Sequence, residues 1–166
     1  MGENIEKALF LDRDNTIIID SGYMHRPEQI QFFDDTFEAL RLAQSKGYSL
    51  FMVTNQSGVG RGLFPIEDVF TMFEAINQKL VEQDIKPFID IALCPHHPDD
   101  GCECRKPSPK MINDLVEKYK LNKENCVMIG DRDSDYECGV NANIKSITIL
   151  LKNQNSNLID HISALG

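Results

Sequence analysis

The chain has 166 residues, of which 42% are apolar and 26% charged, with a formal net charge of -9. That length suits one domain with a hydrophobic core, and the acidic balance argues against sequence-independent binding of nucleic-acid phosphates. No apolar run approaches the length of a membrane span and the amino terminus lacks the basic-then-apolar layout of a secretory signal, so the expectation is a cytoplasmic protein with no membrane partner.

Residues 1–6 are polar and read as a frayed start. Ala8–Leu11 is an apolar run, as strands covered on both faces are, and it stops abruptly at Asp12-Arg13-Asp14-Asn15-Thr16. A long loop from Asp20 to Phe33 follows, and ordered loops of that length are often functional. Asp34, Asp35 and Thr36 offer a helix start, with Phe37, Leu40 and Ala43 on one face and Gly47 as the stop. Tyr48–Val53 reads as a second strand, ending at Thr54-Asn55-Gln56-Ser57-Gly58, and the glycines at 58, 60 and 62 make a loop that a ligand can approach closely. Pro65 suits the first turn of a helix whose apolar positions are 66, 69, 70, 73, 76, 80 and 81. Phe88–Leu93 is a third strand leading into Cys94. Ser108-Pro109 opens a helix with Ile112, Leu115, Val116 and Tyr119 inside, and Cys126–Ile129 is a fourth strand ending at Gly130-Asp131-Arg132-Asp133-Ser134-Asp135. A short helix, a fifth strand around Ser146–Leu150, a polar loop from Lys152 to Asn157 and a short helix from Leu158 to Leu165 complete the chain. Strands alternating with helices predict an α/β domain over residues 1–166, three layers deep with a mostly parallel central sheet.

Parallel strands place their carboxyl ends on one side, where ligands of open α/β sheets bind. Asp12 with Asp14, Thr54 with Asn55, and Asp131 with Asp135 all sit at such ends, and Arg105-Lys106 precedes a helix. Acids for a hard cation such as magnesium, hydroxyl and amide donors for an anion, and an ammonium to neutralise it suit phosphoryl transfer. Separately, Cys94-Pro95-His96-His97 and Cys102-x-Cys104 supply up to three thiolates and an imidazole, which is a ligand set for zinc.

Asp12-x-Asp14-x-Thr16, Thr54-Asn55, Lys106 and Gly130-Asp131-x-x-x-Asp135, in this order, resemble the four motifs of the haloacid dehalogenase (HAD) superfamily of phosphatases. The resemblance covers roughly residues 7–150 and implies a Rossmann-like, HAD-like domain. It implies that Asp12 is a nucleophile forming an aspartyl-phosphate, and that Asp14 protonates the leaving oxygen and then activates water. It also implies that Asp12, the Asp14 carbonyl and Asp131 hold magnesium, that Thr54 and Lys106 hold the phosphoryl oxygens, and that Asp135 orients Lys106 or a metal-held water. The superfamily usually has glycine where this chain has Asn15. Asparagine also reaches positive φ, so the turn is expected to survive.

Cys-Pro-His-His-Pro followed by Cys-x-Cys-Arg-Lys-Pro resembles the zinc-bearing branch of these phosphatases, which implies Cys94, His96, Cys102 and Cys104 as the zinc ligands in a loop at 94–104. Two substrate families of that branch fit. The short interval between His97 and Cys102 is like the histidinol-phosphate phosphatases, whereas segments 20–25 and 54–62 look more like the heptose bisphosphate phosphatases, and the latter are favoured. By that likeness Asp20, Ser21, Gly22, Tyr23, Asn55, Gln56, Ser57, Arg61, Arg105 and Arg132 contact substrate. The motif intervals each hold a single crossover helix and leave no room for a large cap domain. The implied partner is a small phosphorylated metabolite, met by a monomer with no nucleic acid involved.

Overall fold

The computed structural model describes residues 4–150 and 156–166. Among these residues β1 (Lys7–Leu11), β2 (Tyr48–Asn55), β3 (Asp90–Cys94), β4 (Cys126–Gly130) and β5 (Lys145–Thr148) form one all-parallel sheet in the order β3-β2-β1-β4-β5. The helices are α1 (Thr36–Ser45), the single turn α2 (Ser57–Gly60), α3 (Ile66–Glu82), α4 (Lys110–Tyr119), α5 (Asp133–Asn141) and α6 (Leu158–Ser163). The chain builds outward from β1 through β2 to β3, then returns to the other side of β1 for β4 and β5. That reversal opens a crevice at the carboxyl ends of β1 and β4.

The pleat divides the apolar runs between two cores. Leu9 and Leu11 join Leu50, Met52, Val127 and Ile129 under α1, α3 and α6. Ala8 and Phe10 join Phe51, Val53 and Met128 under α4 and α5. Residues 8–11 of β1 are therefore buried on both faces of the sheet, which is why that run carries no polar alternation. The three-layer α/β architecture expected from the sequence is the one present, and no helix of the described residues is long and apolar enough to cross a membrane.

Several boundaries differ from the sequence expectation. Parallel pairing continues past the apolar runs, so β2 takes in Thr54 and Asn55, and Asn55 is in register with Cys94 at the end of β3. β5 ends at Thr148. On α3 the buried face is Val69, Met72, Ile76 and Leu80, whereas Phe70 and Val81 are exposed. Helix α4 begins at Lys110; the Ser108 hydroxyl donates to the Glu103 carbonyl at 2.6 Å, and Pro109 holds the cap position. Asp35 does not cap α1 through its side chain. Its carboxylate instead accepts from the Ser156 hydroxyl (2.6 Å) and the Ile159 amide (3.0 Å), tying α6 to α1. The expected start at 1–6 and loop at 152–157 fall partly outside the described residues.

Phe51 packs between Phe10 and Tyr119, with ring centroids 5.5 Å and 5.1 Å away. Phe51→Ala should cost about 3–5 kcal/mol of stability, as emptied aromatic core sites do. Urea denaturation reads this directly, and a midpoint unchanged from the parent would show that this core layer collapses without loss.

Candidate active site

Asp12 is the first residue beyond β1, and its amide donates to the Ile129 carbonyl at 3.2 Å, so the sheet's own ladder carries it into the crevice. The chain then turns at once. The Ile17 and Ile18 amides donate to the Arg13 carbonyl (3.0 and 3.2 Å) and the Asn15 amide to the Ile18 carbonyl (2.7 Å). Asn15 sits at φ +60°, and its side-chain oxygen accepts from the Asp20 amide at 3.0 Å. The turn survives the asparagine, which also tethers the following loop, a bond that glycine could not make.

Lys106 reaches the same place from the far end of the Cys/His loop. Its buried Nζ lies 2.9 Å from Asp12 Oδ1, 2.6 Å from Asp135 Oδ1 and 2.9 Å from the Val53 carbonyl oxygen. Burial works against the ammonium, but the two carboxylates outweigh it and hold the lysine pKa above its usual range. Burial also pushes the Asp12 carboxyl up to about 7; Lys106 opposes this, while Asp135 and Asp14 add to it. Asp135 is locked in turn, because its Oδ2 accepts from the Arg132 amide (3.1 Å) at the first turn of α5. Gly130 must lack a side chain here, since a Cβ would meet Asp135 at 2.4 Å.

Carboxylate oxygens of Asp12, Asp131 and Asp135 lie within 4.8 Å of one another. Asp131 Oδ1 is buried without a hydrogen-bond partner, and burial, with Asp135 beside it, raises the Asp131 pKa. A buried, unpartnered carboxylate oxygen facing two further acids fits the all-oxygen shell of a hard divalent cation. The Asp14 side chain is not in this cluster.

The floor opens into a cavity of about 370 Å³. Asp12, Asp14, Gln56 and Lys106 line its depth, and Asp20, Gly22, Tyr23, Asn55, Ser57, Arg61, Arg105 and Arg132 its walls. The Arg61 guanidinium lies over the Tyr23 ring at 5.8 Å, so the loop after β1 and the turn after β2 meet at the rim. Thr54 is buried beneath, its hydroxyl accepting from Gln56 Nε2 at 2.8 Å, and Asn55 Oδ1 accepts from the Lys106 amide at 3.1 Å. Ser21 is not among the lining residues, whereas Gly58 and Ser134 are. Ser134 escaped the sequence reading because the acids around it carried the motif. Arg13 escaped because it occupies the variable position of Asp-x-Asp.

The Cys/His loop brings Cys94, His96, Cys102 and Cys104 together, with ligand atoms within 4.8 Å. Cys94 Sγ is 2.9 Å from Cys104 Sγ and 3.5 Å from Cys102 Sγ, and His96 Nδ1 is 3.4 Å and 3.2 Å from Cys94 and Cys104. His97 turns away and accepts from the Asp99 amide at 3.1 Å. Three thiols and one imidazole, none in a disulfide, match a closed tetrahedral zinc shell. The loop is also pressed against the turn that carries Arg61: the Gly60 amide donates to the Pro95 carbonyl at 2.8 Å, and a Cβ on Gly60 would sit 2.4 Å from the His97 nitrogen. Gly60→Ala should therefore force loop and turn apart at about 1–3 kcal/mol, read by thermal or chemical denaturation. Parent-like stability would show that this contact yields freely.

A HAD-hydrolase-like family model matches residues 103–160. The D-glycero-beta-D-manno-heptose-1,7-bisphosphate 7-phosphatase of Helicobacter pylori is 41% identical over 154 residues, covering 90% of this chain and 87% of that protein. The D-glycero-alpha-D-manno-heptose-1,7-bisphosphate 7-phosphatase of Campylobacter jejuni is 42% identical over 145 residues, covering 87% and 82%. The crystal structure of D,D-heptose 1,7-bisphosphate phosphatase from B. bronchiseptica, complexed with magnesium and phosphate, superposes with a TM-score of 0.80 at 28% identity, covering 96% of this chain and 87% of that one. Similarity of this extent means that the protein is a phosphatase of the HAD superfamily and belongs to the family of the heptose-1,7-bisphosphate 7-phosphatases.

Proposed function

We propose that the protein removes the 7-phosphate of D-glycero-D-manno-heptose 1,7-bisphosphate and leaves the 1-phosphate. The observation that carries this reading is the Asp12 carboxylate on the cavity floor, held 2.9 Å from Lys106, in a chain about 40% identical to phosphatases of that sugar. An Asp12 oxygen attacks phosphorus, the ester P–O bond breaks, and the leaving sugar oxygen takes a proton from Asp14. Water then attacks the aspartyl-phosphate, returning a proton to Asp14 and releasing phosphate from Asp12. Lys106 and the Thr54 hydroxyl hold the phosphoryl oxygens. Asp135 keeps Lys106 in place, and Arg105 and Arg132 receive the sugar and its distal phosphate. Asp20, Gly22, Tyr23, Asn55, Ser57 and Arg61 form the sugar's walls.

Asp12, Asp131 and the backbone carbonyl of Asp14 would hold magnesium, with the unpartnered Asp131 Oδ1 as the supporting observation. Bound there, the cation would offset the repulsion among the carboxylates and between Asp12 and an incoming phosphate. Cys94, His96, Cys102 and Cys104 would hold zinc, and the bound ion would order residues 94–104 and with them Arg105 and Lys106. The whole is one domain, a monomer acting in the cytoplasm on a small phosphorylated sugar.

Phosphate release should be fast with heptose bisphosphate and slow with histidinol phosphate. A preference for the latter would move the substrate while leaving the chemistry in place. Asp12→Asn should lower release by about 10³-fold or more, some 4 kcal/mol in the barrier, without unfolding the chain; a variant that kept most of its activity would refute Asp12 as nucleophile. Metal analysis after dialysis should find one zinc per chain, and its removal by a strong chelator should destabilise the fold. A metal-free protein that stayed folded and active would contradict the zinc assignment.

A further inference from the structure

We infer that Arg13 is a positioning residue for the proton step: with Gln56 it forms a fork that aims the Asp14 carboxyl at the leaving oxygen. The inference rests on the reading of Asp14 as acid and base. Arg13 heads the fully buried side chains of the described residues, at 1% exposure, although it is charged. A guanidinium so placed needs a full set of acceptors. Nε donates to Asp14 Oδ1 at 2.8 Å and Nη2 to Asp14 Oδ2 at 3.2 Å, a two-pronged grip on a planar carboxylate. Nη2 also meets Gln56 Oε1 at 3.1 Å and the Met24 carbonyl at 3.4 Å.

Because Gln56 spends its oxygen on Arg13, its amide nitrogen must face the other way, and it lies 2.8 Å from Thr54 Oγ1 and 3.3 Å from Asp14 Oδ2. Gln56 lines the cavity, yet it is only 5% exposed and its amide is engaged within this network. Asp14 is therefore fixed from two directions while its side chain stays 27% exposed toward the cavity. An apolar side chain would fill Arg13's site without the desolvation cost of a buried charge. What the arginine adds is a defined orientation of its partner.

The consequence is chemical. When the P–O ester bond breaks, the electron pair stays on the leaving oxygen, which takes the Asp14 proton, and the resulting carboxylate is received by the Arg13 fork. A sugar alkoxide depends on that proton, whereas p-nitrophenolate leaves as a stable anion. The test is kcat/KM, which reports steps up to P–O cleavage, for heptose bisphosphate (or another alkyl phosphoester that the enzyme accepts) and for p-nitrophenyl phosphate. Arg13→Lys and Gln56→Met, each checked for folding by circular dichroism, should lose about 10- to 100-fold on the alkyl ester, within the range a positioned acid supplies, and no more than severalfold on the aryl ester. Gln56→Met removes only a neutral amide, so it keeps the test open if Arg13→Lys does not fold. Equal losses on both esters, or none, would overturn the inference. Asp14→Asn separates the two readings. If it too fails to discriminate between the esters, the assignment of Asp14 is wrong. If it discriminates and the fork variants do not, only the fork is wrong.

Discussion

The ammonium of Lys106, buried between Asp12 at 2.9 Å and Asp135 at 2.6 Å, joins three segments that are distant in the chain. Asp12 directly follows β1, Asp135 lies in the first turn of α5, and Lys106 closes the Cys/His loop. A charge so deeply desolvated is tolerated only with partners around it, and here they include the Val53 carbonyl near the carboxyl end of β2. Displacing the Lys106 loop strips both buried carboxylates of their cation, and displacing either carboxylate leaves the ammonium with only one. The crevice is thus held by electrostatics as well as by the hydrophobic layers beneath it.

The charge balance of the floor explains why the site needs more than the protein supplies. Asp12 and Asp135 share one lysine and Asp131 lies beside them, leaving an excess of negative charge where a phosphate must arrive. Burial raises the Asp12 pKa to about 7 against the pull of Lys106, and the neighbouring Asp135 and Asp14 add to the rise. The walls compensate, with Arg61, Arg105 and Arg132 around a cavity whose chain is strongly acidic overall. An anionic substrate is favoured by a few placed cations rather than by net charge.

The Cys/His loop contributes order on two sides. Through Arg105 and Lys106 it reaches the floor, and through the Gly60–Pro95 contact it braces the turn bearing Arg61. Among the described residues no cap domain stands over the site, and these backbone contacts and the rim pair of Tyr23 and Arg61 border the cavity mouth. Rigid walls suit selectivity by fit to a small ligand.

Much of this was legible in the residues. Apolar runs that stop at Asp12, Thr54 and Asp131 disclosed the parallel sheet and its active edge, because fully covered strands show no polar alternation and their ends are the first places polar groups can appear. The crowding of Cys94, His96, His97, Cys102 and Cys104 disclosed a metal-ligand set, the family resemblance picked His96 over His97, and Asn15 stood out as one of the few residues that tolerate positive φ. Tertiary structure decided what periodicity cannot encode. It set which apolar residues of α3 face inward, how far β2 and β3 pair beyond their apolar runs, and which element Asp35 serves. It decided too that Arg13, a variable letter in a motif, is a buried fork on Asp14, and that Gln56 turns inward to join it. Composition and spacing report the local preferences of a segment, but a hydrogen-bond partner is chosen by which segments the packed sheet brings within reach.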